Sequence, residues 1–219
     1  MKFAQIFLLI GLQLATFFAN AQESFEFTIP MSPEATEGTF PKKYQGTYSA
    51  LNTGMKYEIT ADDIILHYTQ YESMSKEYMD SDLKLYVIDS LLYGMSEKPL
   101  PVILDNGRYY FGFIHSISMK EKGGVIRMID EHNYVLNLKE NDVYAPRIFT
   151  FVGRNLNIAD FDYSSDKDIR WLKKVDHQFE EKDGLQHYKL TPTQRDWEKM
   201  IKRGYFSTLS MHVKEVKVD

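Results

Sequence analysis

Along most of this chain apolar and polar residues take turns, and the period is two. Met55–Thr60 sets Tyr57 and Ile59 against Lys56 and Glu58, and Ala61-Asp62-Asp63 then turns the chain into Ile64–Gln70. Leu83–Asp89 places Leu83, Leu85 and Val87 on one face. Val102–Asp105 runs into Asn106-Gly107, after which Tyr109, Phe111 and Phe113 alternate with Tyr110, Gly112 and Ile114. Asn-Gly accepts positive φ at both turn positions, matching the twist of the strands it joins, so this stretch predicts a tight hairpin. Gly123-Gly124 leads into Val125–Ile129 and Glu131-His132 into Tyr134–Leu138. Glu140-Asn141-Asp142 closes that strand, ahead of Ile148–Val152 and Leu156–Ala159. Strands that recur about every 8–12 residues with polar turns between them predict a mainly β fold, an antiparallel meander closing into a barrel or a sandwich. A parallel sheet would need crossover helices, and residues 46–160 leave no room for them.

The two ends follow other patterns. Residues 22–45 read as an N-terminal leader: Ser24 to Thr28 alternates briefly, and Pro30, Pro33, Gly38 and Pro41 then interrupt any regular element. Trp171, Leu172, Val175 and Phe179 fall at near-helical spacing, predicting a helix over 169–181 with a strand as the alternative. A C-terminal helix is predicted over 191–203. Thr191 and Gln194 supply a capping-box pair, Pro192 sits at the first helical position, and Gly204 ends the run. Trp197, Met200 and Ile201 form its apolar face, opposite the Glu198–Lys202 pair. Phe206–Val218, with Leu209, Met211 and Val213 in alternation, predicts a closing strand. No internal repeat and no Gly-, Ser- or Pro-rich linker divides the chain, so 46–219 reads as a single β-rich domain.

The first 21 residues are of a different kind. Met1-Lys2 gives a positive start, Phe3 to Phe18 is almost wholly apolar, and Ala19-Asn20-Ala21 supplies the small-x-small pattern that signal peptidase reads before Gln22. The run is shorter than the ~20 residues a membrane span requires, and Gln5 and Gln13 interrupt it. The expectation is a cleaved signal peptide and a periplasmic or secreted product with no transmembrane span after cleavage. Composition adds to this address. The 219 residues include no cysteine, which excludes disulfide scaffolds, thiol nucleophiles, Cys-zinc sites and a lipid-modified N-terminal Cys. A chain of this length buries roughly 70% of its unfolded surface and folds without such staples. No asparagine lies in an N-x-Ser/Thr acceptor, which leans the reading toward a bacterial protein. The formal net charge of −5 argues against nucleic acid, and acids at Asp166, Asp168 and Asp176 dilute the small basic group Arg170, Lys173 and Lys174.

Three short motifs, taken in order, resemble the lipocalin or calycin plan. Gly46-Thr47-Tyr48 follows the turn Phe40-Pro41-Lys42-Lys43, with Tyr48 where lipocalins place Trp. Phe161-Asp162-Tyr163 is similar to their second motif, and Arg203 stands for the late basic residue of the third. The resemblance spans 46–218 and implies a cupped barrel that takes a small apolar or amphipathic molecule.

Candidate chemistry is sparse. The nearest approach to a nucleophile elbow, Gly94-Met95-Ser96-Glu97-Lys98, lacks its second glycine. No two of the six histidines stand at His-x-His or His-x-x-x-His spacing; His67 and His212 read as sheet residues and Asp130-Glu131-His132 as a turn. A hydrolase using two carboxylates is the least favoured reading, because nothing singles out a pair. Asp160, Asp162, Ser164, Asp166 and Asp168 place an oxygen at every second position, as in loops that wrap calcium. Ser165 stands where such a loop needs Gly and Trp171 where it needs a bidentate Glu, so an acidic turn is the favoured account and calcium the only cofactor considered. Asp80-Ser81-Asp82 is a weaker acidic group within a polar connection. The 15 Tyr and 14 Phe are the other unusual feature. Core packing accounts for most of them, while Tyr48, Tyr68, Tyr86, Tyr109, Tyr110, Phe111 and Phe113 are the candidates for lining a ligand pocket. The expected function is an exported, non-enzymatic binder of a small apolar ligand. The alternative is a periplasmic or surface module that meets another protein through edge strands or the Asp160–Asp168 loop.

Overall fold

The computed structural model describes residues 23–216 apart from 33, 36, 51–53, 164–168 and 183, so the expected signal segment 1–21 lies outside the described residues. The chain is mainly β. Its strands are β1 (Glu23–Phe27), β2 (Gly46–Ser49), β3 (Lys56–Ile59), β4 (Ile64–Ser75), β5 (Tyr86–Ile88), β6 (Leu91–Tyr93), β7 (Leu100–Asp105) and β8 (Arg108–Ser118). They continue as β9 (Val125–Met128), β10 (Asn133–Glu140), β11 (Val143–Val152), β12 (Asn155–Phe161), β13 (His177–Lys182), β14 (Leu185–Leu190) and β15 (Phe206–Lys214). Helix α1 spans Lys76–Ser81, a 3₁₀ helix spans Ile169–Lys174, and helix α2 spans Gln194–Lys202. The chain forms two compact units. One takes in the chain up to Glu37, Arg127–Phe149 and Ile158–Leu209; the other takes in Gly38–Ile126, Thr150–Asn157 and the chain from Ser210. Most of these boundaries fall inside strands, in β9, β11, β12 and β15, which is why no linker stands out in the sequence.

In the first unit the strand order is β13-β14-β1-β11-β12-β15, with β10 paired to β11 and β9. Glu23–Phe27 is therefore a strand of the sheet and no mere leader. It pairs with β14 in parallel, from Glu23↔Gln186 to Phe27↔Leu190, an exception within a mainly antiparallel fold. A parallel neighbour needs a long connection, and here nearly the whole chain supplies it. The core gathers Phe25, Phe27, Val135, Leu172, Leu190, Trp197, Met200 and Tyr205, with the Phe27 and Trp197 rings 4.5 Å apart.

Helix α2 starts later than its sequence suggested. Thr193 is the N-cap, accepting from the Asp196 N–H, while the Asp196 carboxylate accepts from the Thr193 N–H at 3.1 Å. Thr191 is engaged elsewhere: its N–H donates to the Asp176 carbonyl and its hydroxyl meets that of Thr28 at 2.8 Å. Gly204, at φ 72°, ends the helix as expected. The helical spacing over 169–181 splits into the 3₁₀ helix, which buries Leu172, and β13, where Phe179 is exposed.

The second unit is a run of antiparallel neighbours, β15-β2-β3-β4-β8-β7-β6-β5. Asn106 and Gly107 adopt φ 47° and 73°, the positive values the hairpin needs. The β4–β8 ladder runs unbroken from Ile65↔Ser118 to Ser75↔Arg108. Helix α1 follows it, capped by Ser75, whose hydroxyl accepts from the Tyr78 N–H; no periodicity announced so short an element. The strand expected over Leu83–Asp89 contracts to β5. Leu83 is 99% exposed, and the Leu85 N–H turns back to the Asp82 carbonyl.

Tyr48, Tyr57, Ile59, Ile64 and Phe151 are buried, with Tyr44 stacked on Phe151 at 4.3 Å. A smaller cluster of Met79, Leu92, Val102 and Phe111 packs α1 against β6, β7 and β8. In β15 the face assignment is the reverse of the one the alternation suggested: His212 is buried, whereas Leu209, Met211 and Val213 are exposed. Among the described residues β15 and β5, the two ends of this order, do not pair, nor does β13 pair back onto β15. The expected mainly β, antiparallel class is thus found, with the sheet not closed into a barrel.

Candidate functional site

A concavity of the first unit lies where β1 and β11 part. Strand β1 is paired with β14 along its whole length, but on its other side it meets β11 only at Phe27↔Tyr144. The Thr28 N–H donates to Leu190 on the β14 side, so Phe25 and Phe27, three and one residues before it, turn their backbone groups toward β11. Continuing the antiparallel register would set Pro146, which has no N–H to donate, opposite Phe25, and from this level onward β12 is the neighbour of β11, with Asp160 paired to Arg147.

A cleft of about 320 Å³ opens there, at the small end of the range for ligand sites. Phe25, Phe27, Tyr144, Phe161 and Tyr163 give it aromatic walls, and Leu138, Val143 and Pro146 add apolar surface. The rings brace one another. Phe25 meets Tyr163 edge-on at 5.1 Å, and Phe27 meets Phe161 edge-on at 4.7 Å. Edge-to-face pairs of this kind hold ring positions before any ligand arrives.

The polar groups of the cleft are Glu26, Glu140, Arg147 and Asp160. Arg147 and Asp160 form a bidentate pair, Nε to Oδ1 at 2.5 Å and Nη2 to Oδ2 at 2.8 Å, with side chains 26% and 33% exposed. Such a fork fixes both planes and is stronger than a single charged contact. Among the described residues the lining is that of an apolar, ring-lined slot with ionic groups.

The residues singled out from the sequence are dispersed. Tyr48 is fully buried, and its hydroxyl donates to the Tyr44 carbonyl at 2.8 Å; burial, then the neighbouring Tyr44, pushes its pKa up to about 12. Tyr68 stacks on His115 at 5.1 Å, and exposed Tyr86 stacks on Tyr93 at 5.0 Å. Tyr109, Phe111 and Phe113 share one face of β8 and pack on the smaller core cluster, whereas Tyr110 emerges on the opposite, solvent face. Neither the cleft of the first unit nor the groove of the second is lined by any of these seven rings.

Of the acidic series, Asp160 is committed to Arg147 and Asp162 accepts from the Ser207 hydroxyl at 2.8 Å. Ser164, Asp166 and Asp168 lie outside the described residues, and among the described residues no three metal-ligating side chains cluster. Phe161 and Tyr163, the outer residues of the second lipocalin-like motif, do line the cleft. Sequence reasoning missed Phe25, Phe27, Tyr144 and Arg147. The signal available was a proline inside an otherwise strand-like segment, 143–152.

The second unit holds two further arrangements. On the solvent face of β3, β4 and β8, His67 Nδ1 meets the Ser116 hydroxyl at 2.8 Å and His67 Nε2 meets Glu58 at 3.1 Å. The set has the residue types of a hydrolytic relay with the two ring nitrogens exchanged, Nδ1 facing the serine and Nε2 the acid, and it lies across a continuous ladder of strand neighbours with His67 opposite Ser116. A polar groove of about 520 Å³ runs past Gly46, Thr47, Glu58 and Glu215. Lys214 also lines it, its ammonium donating to the Lys43 carbonyl and its pKa lowered by burial and then by Arg154. No family model, curated protein or solved structure matches this chain. Among the described residues no helix is long and apolar enough to cross a membrane.

Proposed function

We propose that the protein is exported and that its first unit binds a small amphipathic molecule in the cleft between β1 and β11. One observation carries the reading: five aromatic rings, four of them braced against one another, and an ion pair line one concavity. Rings supply contact area at little entropic expense, and fixed ionic groups orient the polar end of a guest. The ligand sits beside an interrupted ladder and not inside a closed barrel, so the reading does not need membership of the lipocalin family.

Native mass spectrometry of the chain purified from its export compartment tests both halves. The expected spectrum shows a mature mass beginning at Gln22 and a second species heavier by a small molecule. A bare mass in every preparation, with no small molecule shifting the melting transition, overturns the binding reading. An N-terminal sequence that still begins at Met1 overturns export.

A second reading, docking of another protein, draws on the second unit. Tyr71, Ile114 and Ile103 are each more than 70% exposed on the same face of β4, β8 and β7, a larger apolar display than scattered surface residues give.

A further inference from the structure

We propose that the molecule taken by the cleft carries a cationic head, an amine or a quaternary ammonium, on an apolar chain; this rests on the reading of the cleft as a ligand site. The charge inventory of the lining is lopsided. Among the described residues Glu26, Glu140 and Asp160 contribute three carboxylates against the one guanidinium of Arg147. Arg147 would ordinarily invite an anion, but two of its nitrogens already grip both oxygens of Asp160. Glu26 and Glu140 form no ion pair with any described residue, and Glu26 is half-buried on the face of β1 opposite Phe25 and Phe27. A carboxylate drawn partly out of water with no counter-charge favours a ligand that brings one.

The walls suit the same chemistry. Aromatic faces attract cations through their quadrupole, and Tyr144 already carries the Lys139 ammonium 5.9 Å from its ring centre. Lys139 is the nearby cation on β10, but it does not line the cleft and leaves both glutamates without a partner. An apolar chain would lie along Phe27, Phe161 and Leu138, and the cationic head would sit toward the glutamates.

Isothermal titration calorimetry of the mature chain with decyltrimethylammonium and with decanoate, both below micellar concentrations, tests this. The expected result is at least tenfold tighter binding of the cation, a preference that shrinks with added salt. Glu26→Gln combined with Glu140→Gln should remove the preference and leave residual binding of both chains. Equal or tighter binding of decanoate overturns the cationic head while leaving the cleft as the site. Binding of the cation that survives Ala145→Trp, which fills the cleft, overturns the location. If neither probe binds, the reading of the cleft itself fails.

Discussion

Two strand pairs, one in each unit, show how the extent of a ladder separates a wall from a site. Strands β4 and β8 pair rung after rung from Ile65↔Ser118 to Ser75↔Arg108, and the result is a continuous surface of cross-strand neighbours. Strands β1 and β11 pair at Phe27↔Tyr144 alone, and the cleft lies beside that rung. Gly112 shows the opposite economy in the second unit. A Cβ there would come 2.5 Å from Thr69 Cγ2 and 3.4 Å from the Tyr71 ring, so the absence of a side chain lets Tyr71 lie flat across the ladder.

The largest expected effect falls on the packing behind the cleft. Trp197 is fully buried against Phe27, and Trp197→Ala should cost about 3–5 kcal/mol, read as an earlier urea midpoint for the first unit. A loss below 1 kcal/mol would mean that the rings of the cleft stand without the core beneath them. Gly112→Ala should cost about 1–2 kcal/mol through overpacking against Thr69, with the Tyr71 ring displaced in NMR spectra. Unchanged Tyr71 shifts would remove the contrast drawn for the second unit.

The smallest effect concerns pH. Burial against Tyr57 lowers the pKa of His212 below the ordinary 6.5, so the unfolded chain takes up its proton first. The contribution of His212 is fully present above pH 6.5 and is lost as pH falls toward the folded-state value. Denaturation midpoints should therefore decline below pH 6.5, and His212→Phe, which keeps a ring beside Tyr57, should flatten that part of the curve.

Much of the fold was legible because a two-residue period over 46–160 survives any error at the strand ends. The Asn106-Gly107 hairpin was readable to the residue, since only a positive φ pair fits that turn. Elements set by partners were less so. Ser24 to Thr28 alternates, but nothing local reveals that its neighbour is Leu185–Leu190. Thr191 and Thr193 are equivalent as caps until Thr28 and Asp176 occupy the first of them. The outward face of β15 was misjudged because Leu209, Met211 and Val213 are apolar, while the ring of Tyr57 gives His212 an inward contact that hydropathy does not register. The cleft was the least legible part. Its walls come from β1, β10, β11, β12 and Tyr163, segments far apart in the sequence that only the sheet pairing brings to one place.

The parallel pairing of β1 with β14 also bears on the order in which the molecule assembles. Ser24 and His187, paired across these strands, are 163 residues apart in the chain. A contact so distant is slow to find, because loop-closure entropy must be met before the pairing can repay it. Strand β1 therefore waits without its β14 partner until nearly all of the chain is available, whichever end emerges first. The second unit can grow by local hairpins such as β7–β8 in the meantime, and the cleft exists only after the last long-range step.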